Sequence, residues 1–401
     1  MPAAPRRADD LRRHNLGLVL AHIHRDGELS RAELTARLGV SRSTVGVLVS
    51  DLAGLGLVSA QIPSGGDRAG RPSHLVGPRE DGPYAFAVDV DITHVCVAAV
   101  GLGGRILARQ DLPLRPDPTL EAVRALVEHG LAIVGARVAA EAWPVAVGVS
   151  IPGTVSEDGV IGFAPNLGWH DVSLGAELRE AVPGHLPVVL GNDADLAVVA
   201  EHQRGAGRGC ENLVYLLGRV GVGAGIVAGG RPLLGHRRRA GELGHIVLNP
   251  AGPECSCGKR GCVEVYIGDT ALLRAANRRT SVAEVVAAAM SGDATALAAV
   301  QSAARWLGHV VANVANFVNP ERVILGGSLG RIFTAAREIT TEAIASSAFE
   351  PTSTMPELCT PGLGEDSALL GAAELAFAAL LADPLGYAEA ATAARLGRPG
   401  A

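Results

Sequence analysis

Between positions 245 and 262 one histidine and three of the chain's six cysteines stand in the pattern H-x9-C-x-C-x4-C: His245, Cys255, Cys257 and Cys262. Three thiolates and an imidazole form a closed tetrahedral ligand set, the composition of a structural zinc site with no position left for a reacting water. Gly258 and Gly261 allow so short a loop to fold back on one ion. The plain alternative is three reduced core cysteines beside an unrelated histidine. Apolar core cysteines are not usually spaced C-x-C-x4-C among Gly, Lys and Arg. Cys96, Cys210 and Cys359 have no such company and read as ordinary small residues.

A second group is Asn192-Asp193 in GNDAD, just after the apolar run PVVL. The pair sits at a strand end, where α/β folds place their ligands. Carboxylates and amides there can hold several hydroxyls of a polar ligand at once. The bland reading of Asp193 is a helix N-cap before LAVVAEH, and both roles are compatible.

A third group is the Ser41-Arg42-Ser43-Thr44 stretch near the N-terminus. Ahead of it, Leu16, Val19, Leu20 and Ile23 fall on one helical face, with Gly27 as a stop. Ser30 and Glu33 form an S-x-x-E capping box, so a short helix starts at Arg31 and ends near Gly39. Ser41 then caps a helix whose apolar residues are Val45, Leu48, Val49 and Leu52. LVSAQI and SHLV read as a two-stranded wing around SGGDRAGRP. This is the layout of a winged helix-turn-helix, whose second helix enters the major groove by its N-terminal end. Arg42, Ser43 and Thr44 would then reach bases or flanking phosphates, with Arg31 beside them. Ser41 and the helix N-terminus would receive a phosphate, and Arg68 and Arg71 in the wing would enter a narrow minor groove. Residues 1–80 carry 11 Arg against 8 Asp and Glu, while the whole chain has a net charge of −6. A mildly basic head on an acidic body fits a polyanion partner.

These groups need scaffolds. Hydrophobic residues make up 48% of the 401-residue chain but aromatics only 3%, so its cores must be Ala, Val, Leu and Ile, as in α/β layers. PYAFAVDVDITHVCVAAVGLGGRILAR reads as a strand pair with a Gly-rich turn, and a helix follows near Thr119–Ala139. PVAVGVSIPGTV is a buried strand. NLVYLLGRVGVGAGIVAGGRPL repeats the strand–turn–strand layout, as expected of a duplicated lobe, and Ser367–Ala382 is a closing helix. The longest apolar run, SALLGAAELAFAALLA, is broken by Glu374, and the charged N-terminus has no signal-peptide core. The expectation is a cytoplasmic protein without a membrane span.

SRAELTARLGVSRSTV, the GRP wing, PNLGW, GNDAD, AGELGH and CSCGKRGCVE together resemble the ROK family of bacterial repressors and sugar kinases, over roughly residues 10 to 382. The resemblance implies a winged helix-turn-helix at 1–80 followed by a two-lobed, actin-like (ASKHA, ribonuclease H-like) sugar-kinase fold. Its lobes would span 81–195, completed by the helix at 367–382, and 196–366, leaving a tail at 383–401. It implies zinc on His245, Cys255, Cys257 and Cys262. It implies sugar contacts from Asn166, Asn192, Asp193, Glu242, His245 and Glu264, with Asp193 at the place of the kinases' catalytic base. His245 would then use one ring nitrogen on zinc and the other on the sugar.

Departures from the family's kinases stand beside these matches. Their D-x-G-G-T is here Asp89-Val90-Asp91-Ile92-Thr93, which puts a carboxylate that repels ATP where a glycine would approach phosphate. The Thr of their G-T-G turn is Val220, which lacks the hydroxyl donor. The expected function is therefore a sugar-responsive transcriptional repressor, binding an inverted-repeat operator as a homodimer or homotetramer, with a sugar or sugar-phosphate effector and a vestigial Asp193. An active hexose kinase with a DNA-binding head, and a regulator signalled by a partner protein, are the alternatives.

Overall fold

A computed structural model describes residues 8–61, 75–182, 184, 186–278, 281–349 and 355–396, with side chains to residue 390. The N-terminal part has helices α1 (Ala8–Asp26), α2 (Arg31–Leu38) and α3 (Arg42–Gly54), and strands β1 (Leu29–Ser30), β2 (Val58–Gln61) and β3 (Leu75–Pro78). The local chemistry of SRAEL operates as expected. Ser30 Oγ accepts from Glu33 N–H while Glu33 accepts from Ser30 N–H, and Gly39 closes α2 at φ 65. Such caps stabilise by about 1 kcal/mol each. Ser41 caps α3 through Thr44 N–H. The wing is a three-stranded sheet in the order β1-β3-β2. Its connecting loop, with Arg68 and Arg71, lies outside the described residues.

The body is built on two five-stranded sheets. The first contains β4 (Pro83–Val90), β5 (His94–Gly101), β6 (Ile106–Pro113), β7 (Trp143–Ile151) and β11 (Val188–Asn192) in the order β11-β7-β4-β5-β6. The predicted strand pair is thus a three-strand meander, because Arg105 follows a tight Gly103–Gly104 turn and the chain extends again. Helix α4 (Leu120–Gly135) is capped by Thr119, and α5 (Leu174–Ala181) follows a small sheet of β8 (Thr154–Val155), β9 (Ile161–Ala164) and β10 (Trp169–Val172). β4 is buried along its whole length. Its apolar alternation marks two covered faces, not one wet face.

Helix α6 (Asp193–Arg204) leads to the second sheet, of β12 (Leu213–Gly218), β13 (Val222–Ala228), β14 (Arg231–Pro232), β15 (Arg322–Gly327) and β16 (Glu357–Cys359). Its order is β14-β13-β12-β15-β16. In each sheet the first strand pairs antiparallel with the second and parallel with the fourth. The repeated pattern is the duplicated lobe of an actin-like fold. Helices α7 (Glu264–Ile267), α8 (Asp269–Ala275), α9 (Val282–Met290), α10 (Ala294–Val318), α11 (Ser328–Ala335) and α12 (Arg337–Ser347) cover the second sheet.

Helix α13 (Ser367–Ala382) packs on α6, β4 and β7. Helix α14 (Pro384–Leu396) packs on α1 and α13. The tail therefore continues as a helix against the head, which no motif in it announced. Among the described residues no single helix is long and apolar enough to cross a membrane.

Candidate functional site

The cysteine loop folds around a common point. The ligand atoms of His245, Cys255, Cys257 and Cys262 all lie within 4.8 Å of one another. Cys255 Sγ is 3.7 Å from His245 Nδ1, and Cys257 Sγ is 3.8 Å from Cys262 Sγ. A zinc ion at ~2.3 Å from sulfur in a tetrahedron separates its ligands by about 3.7 Å. The donors therefore fit a four-coordinate ion, and the thiols are far outside disulfide distance. The turn depends on its glycines: Gly258 and Gly261 have φ of 80 and 70, and a Cβ on Gly261 would lie 1.6 Å from Asn249 O.

The same loop borders a pocket between the two sheets. Asn166, Asn192, Asp193, Glu242, His245 and Glu264 all line it, together with Asp91, Arg219 and Val220. Asn166 comes from the turn after β9, Asn192 and Asp193 from the β11–α6 junction, and the other three from the cysteine loop and its flanks. With Nδ1 of His245 turned to Cys255, Nε2 is the ring atom left for the pocket. Glu264 is held by Val222 N–H at 3.3 Å and Ser256 Oγ at 3.1 Å. Gly221 is the floor between two of these groups: a Cβ there would lie 2.5 Å from Glu264 Oε2 and 3.0 Å from Asn166 Nδ2.

The helix cap is Asn192, not Asp193. Asn192 Oδ1 accepts from Ala194 and Asp195 N–H, and its Nδ2 donates to Gly153 O at 3.0 Å. Capping occupies most of that amide, and Asp193, the first helical residue, lines the pocket while its Oδ1 also accepts from Ala194 N–H at 2.9 Å. Burial pushes the Asp193 carboxyl up to about 6, against the pull of Arg219. Burial also raises Glu242.

The main feature missed in the sequence is Arg219. Its Nη2 donates to Asp89 Oδ2 at 2.8 Å, and its Nη1 is 3.3 Å from Asp91 Oδ2. Burial opposes the Arg219 charge, but Asp89, Asp193 and Asp91 outweigh it and raise its pKa. Asp89 also accepts from Ser150 Oγ at 2.7 Å. The expectation that Asp91 acts as a bare repelling charge needs correction, since a guanidinium compensates it. The Arg219 side chain itself lines the pocket beside Asp91. An arginine beside the missing Thr hydroxyl was the available signal.

In the head, Ser41, Arg42 and Ser43 are exposed and Thr44 half-buried, with Ser41 Oγ 2.7 Å from Ser43 Oγ and 2.9 Å from Thr44 Oγ1. Arg31 is half-buried, and its Nε is enclosed without a partner. The space beside Gly46 is open.

Comparison with known proteins covers both parts. The ROK family model matches residues 85–379, and a MarR family model matches residues 17–70. The chain is 28% identical to the xylose repressor of Bacillus subtilis over 364 residues, which is 89% of this chain and 93% of that protein. It is 31% identical to the glucokinase of Streptomyces coelicolor over 319 residues, 73% of this chain and 96% of that one. Among solved structures, a ROK family transcriptional regulator homologous to the E. coli MLC protein has the same fold. It superposes with a TM-score of 0.78 at 23% identity, covering 94% of this chain and 99% of that one. A ROK family glucokinase from Streptomyces griseus, in complex with glucose and AMPPNP, gives 0.65 at 27% identity over 73% of this chain and 98% of that one. The chain belongs to the ROK family.

Proposed function

We propose that this chain is a sugar-responsive transcriptional repressor whose effector is a neutral sugar bound between the lobes. The observation that carries the reading is a pocket lined by all six residues expected to contact a sugar, with Arg219 in the same lining and paired to Asp89 and Asp91. The relation to the B. subtilis xylose repressor along nearly the whole chain supports it. Asn166, Asn192, Asp193, Glu242, His245 and Glu264 would hold the hydroxyls. Asp91, Asp193, Glu242 and Glu264 line the pocket against one arginine already shared by two aspartates. Such a lining accepts hydroxyl donors and repels a phosphate dianion, which favours an unphosphorylated sugar over a sugar phosphate.

His245, Cys255, Cys257 and Cys262 would hold a structural zinc. Bound there, the ion supplies no chemistry beyond fixing the loop, since four protein ligands close its shell. Glu242 lies three positions before one ligand and Glu264 two after another, so the loop carries two carboxylates to one sugar.

Residues 1–80 would bind DNA through Arg31, Ser41, Arg42, Ser43 and Thr44, with Arg68 and Arg71 in the wing. The lobes would be 81–195, completed by 367–382, and 196–366. A two-fold homodimer or homotetramer would match an inverted-repeat operator.

Calorimetry on the zinc-loaded full chain with D-glucose, D-xylose and their phosphates tests the sugar assignment. Heat from a neutral sugar that Asp193→Asn removes is the expected result. Binding of the phosphates alone would overturn it, and no binding at all would favour a partner-protein signal. The second reading, an active hexose kinase, is favoured by Asp193 in the pocket and opposed by Arg219. Release of ADP above background in the presence of a hexose would establish it.

A further inference from the structure

The head is joined to the body by a buried polar junction as well as by the chain. His24, at the end of α1, is 1% exposed. Gly103 N–H donates to its Nδ1 at 3.1 Å, so that nitrogen carries no proton and Nε2–H donates to Glu374 Oε2 at 2.9 Å. Glu374 lies on α13 and is 6% exposed. Its other oxygen accepts from Arg204 Nε at 2.6 Å, and Arg204 Nη1 donates to His24 O at 2.8 Å and Gly103 O at 3.0 Å. Burial works against the charge of Glu374, but His24 and Arg204 hold its carboxyl below the ordinary value. The apparent flaw in the apolar run at 367–382 thus binds the head, the first sheet and α6 together.

Arg204 is the last residue of α6, and Asp193 of the sugar pocket is the first. Twelve residues span ~18 Å. α6 has little freedom to move apart from α13. A Cβ on Gly371 would lie 2.0 Å from Leu196 O, so the two backbones touch. Glu201, 0% exposed, accepts from Ser367 Oγ at 2.7 Å and from Gly362 and Leu363 N–H at 2.9 Å. α1 rests on α13 just as closely, since a Cβ on Gly17 would lie 2.7 Å from Leu381 O. Leu16, Val19 and Leu20 of α1 share one buried cluster with Val45, Leu48 and Val49 of α3 and with Ala372, Ala376 and Phe377 of α13. Close-packed interiors of this kind transmit displacement.

We propose that α6 carries pocket occupancy to the DNA-binding head, and that Arg204, Glu374 and His24 are the positioning residues that fix α1 to it. The proposal rests on the sugar-responsive reading. A sugar drawing on Asp193 shifts the first turn of α6. α6 and α13 move together as one body, and the Arg204–Glu374–His24 junction carries α1 and, through their common core, α3 with them.

The test uses the full chain, a DNA duplex enriched by it from random inverted repeats, and D-glucose and D-xylose as probes. The quantity read is the ratio of DNA dissociation constants with and without saturating sugar. The wild type should give a ratio in the range of about 5 to 150. Glu374→Gln, and the paired change Arg204→Met with Glu374→Leu that leaves no buried charge unpaired, should bring it below about 2, while the sugar dissociation constant stays within about twofold. A junction that merely glues the head on would alter DNA affinity equally with and without sugar. An unchanged ratio in both variants therefore overturns the proposal. A wild-type ratio of one with sugar bound would refute the sugar-responsive reading itself, and the failure then shows in the wild-type arm.

Discussion

Arg219, at the end of β12, donates to Asp89 on β4 at 2.8 Å, an ion pair across the cleft between the two sheets. A second contact, to Asp91 at 3.3 Å, places the guanidinium between two carboxylates of the first hairpin. The cleft of this ROK protein is therefore bridged by its own side chains.

Removing the bridge should destabilise the body. Arg219→Met leaves Asp89 and Asp91 facing each other with no cation. Loss of one partner of a buried pair costs roughly 3–5 kcal/mol, and the 23% exposure of the Arg219 side chain places the expectation at the lower end. Adding Asp91→Asn should recover part of the loss. Urea unfolding checks both steps. A change under ~0.5 kcal/mol for Arg219→Met would mean the pair does not hold the lobes together.

The cysteine loop should couple metal to sugar. The purified chain should hold one zinc after dialysis, and Cys257→Ser should lose it. Sugar affinity should fall with it, by on the order of tenfold or more, because the His245 ring and the segments bearing Glu242 and Glu264 lose their anchor. Metal analysis and calorimetry on the same samples decide the point. Undiminished sugar affinity in the zinc-free variant would reduce the metal to a fold-stabilising role.

What was readable in one dimension depended on range. The caps at Ser30 and Ser41, the glycine turns and the cysteine spacing are local, and their physics is complete within a few residues. Resemblance supplied Asn166, Glu242 and Glu264, and the fold brings them to one pocket with Asp193. Arg219 was silent because its partners on β4 and after it are about 130 residues away. Glu374 looked like an interruption for the same reason, since His24 is 350 positions earlier. The sequence left Asp193 open to both a cap and a ligand role, and the fold gives the cap to the neighbouring Asn192 and sets Asp193 in the pocket lining.

Asp195 gives a pH prediction. Burial, with Asp193 nearby, pushes its carboxyl up to about 7 from an ordinary 3.8. Between about 3.8 and about 7 the folded state therefore holds a proton that the unfolded chain has released, so the stability this group contributes at low pH is lost progressively across that window and the loss is complete above about 7. Asp195→Asn mimics the protonated form. Its advantage in melting temperature over the wild type should widen from about pH 4 to about pH 7, by at least ~2 °C, and stay level above that. A pH-independent difference would place the Asp195 carboxylate in water.

A sugar-responsive repressor must bind DNA in a way that answers to sugar. DNase footprinting of the full chain on its enriched inverted repeat, with and without D-xylose and D-glucose, measures that directly. The expected result is sequence-specific protection that Arg42→Ala weakens and that one neutral sugar shifts by a factor of about 5 to 150 in protein concentration. Protection that no sugar alters, or no specific protection in any condition, would contradict it.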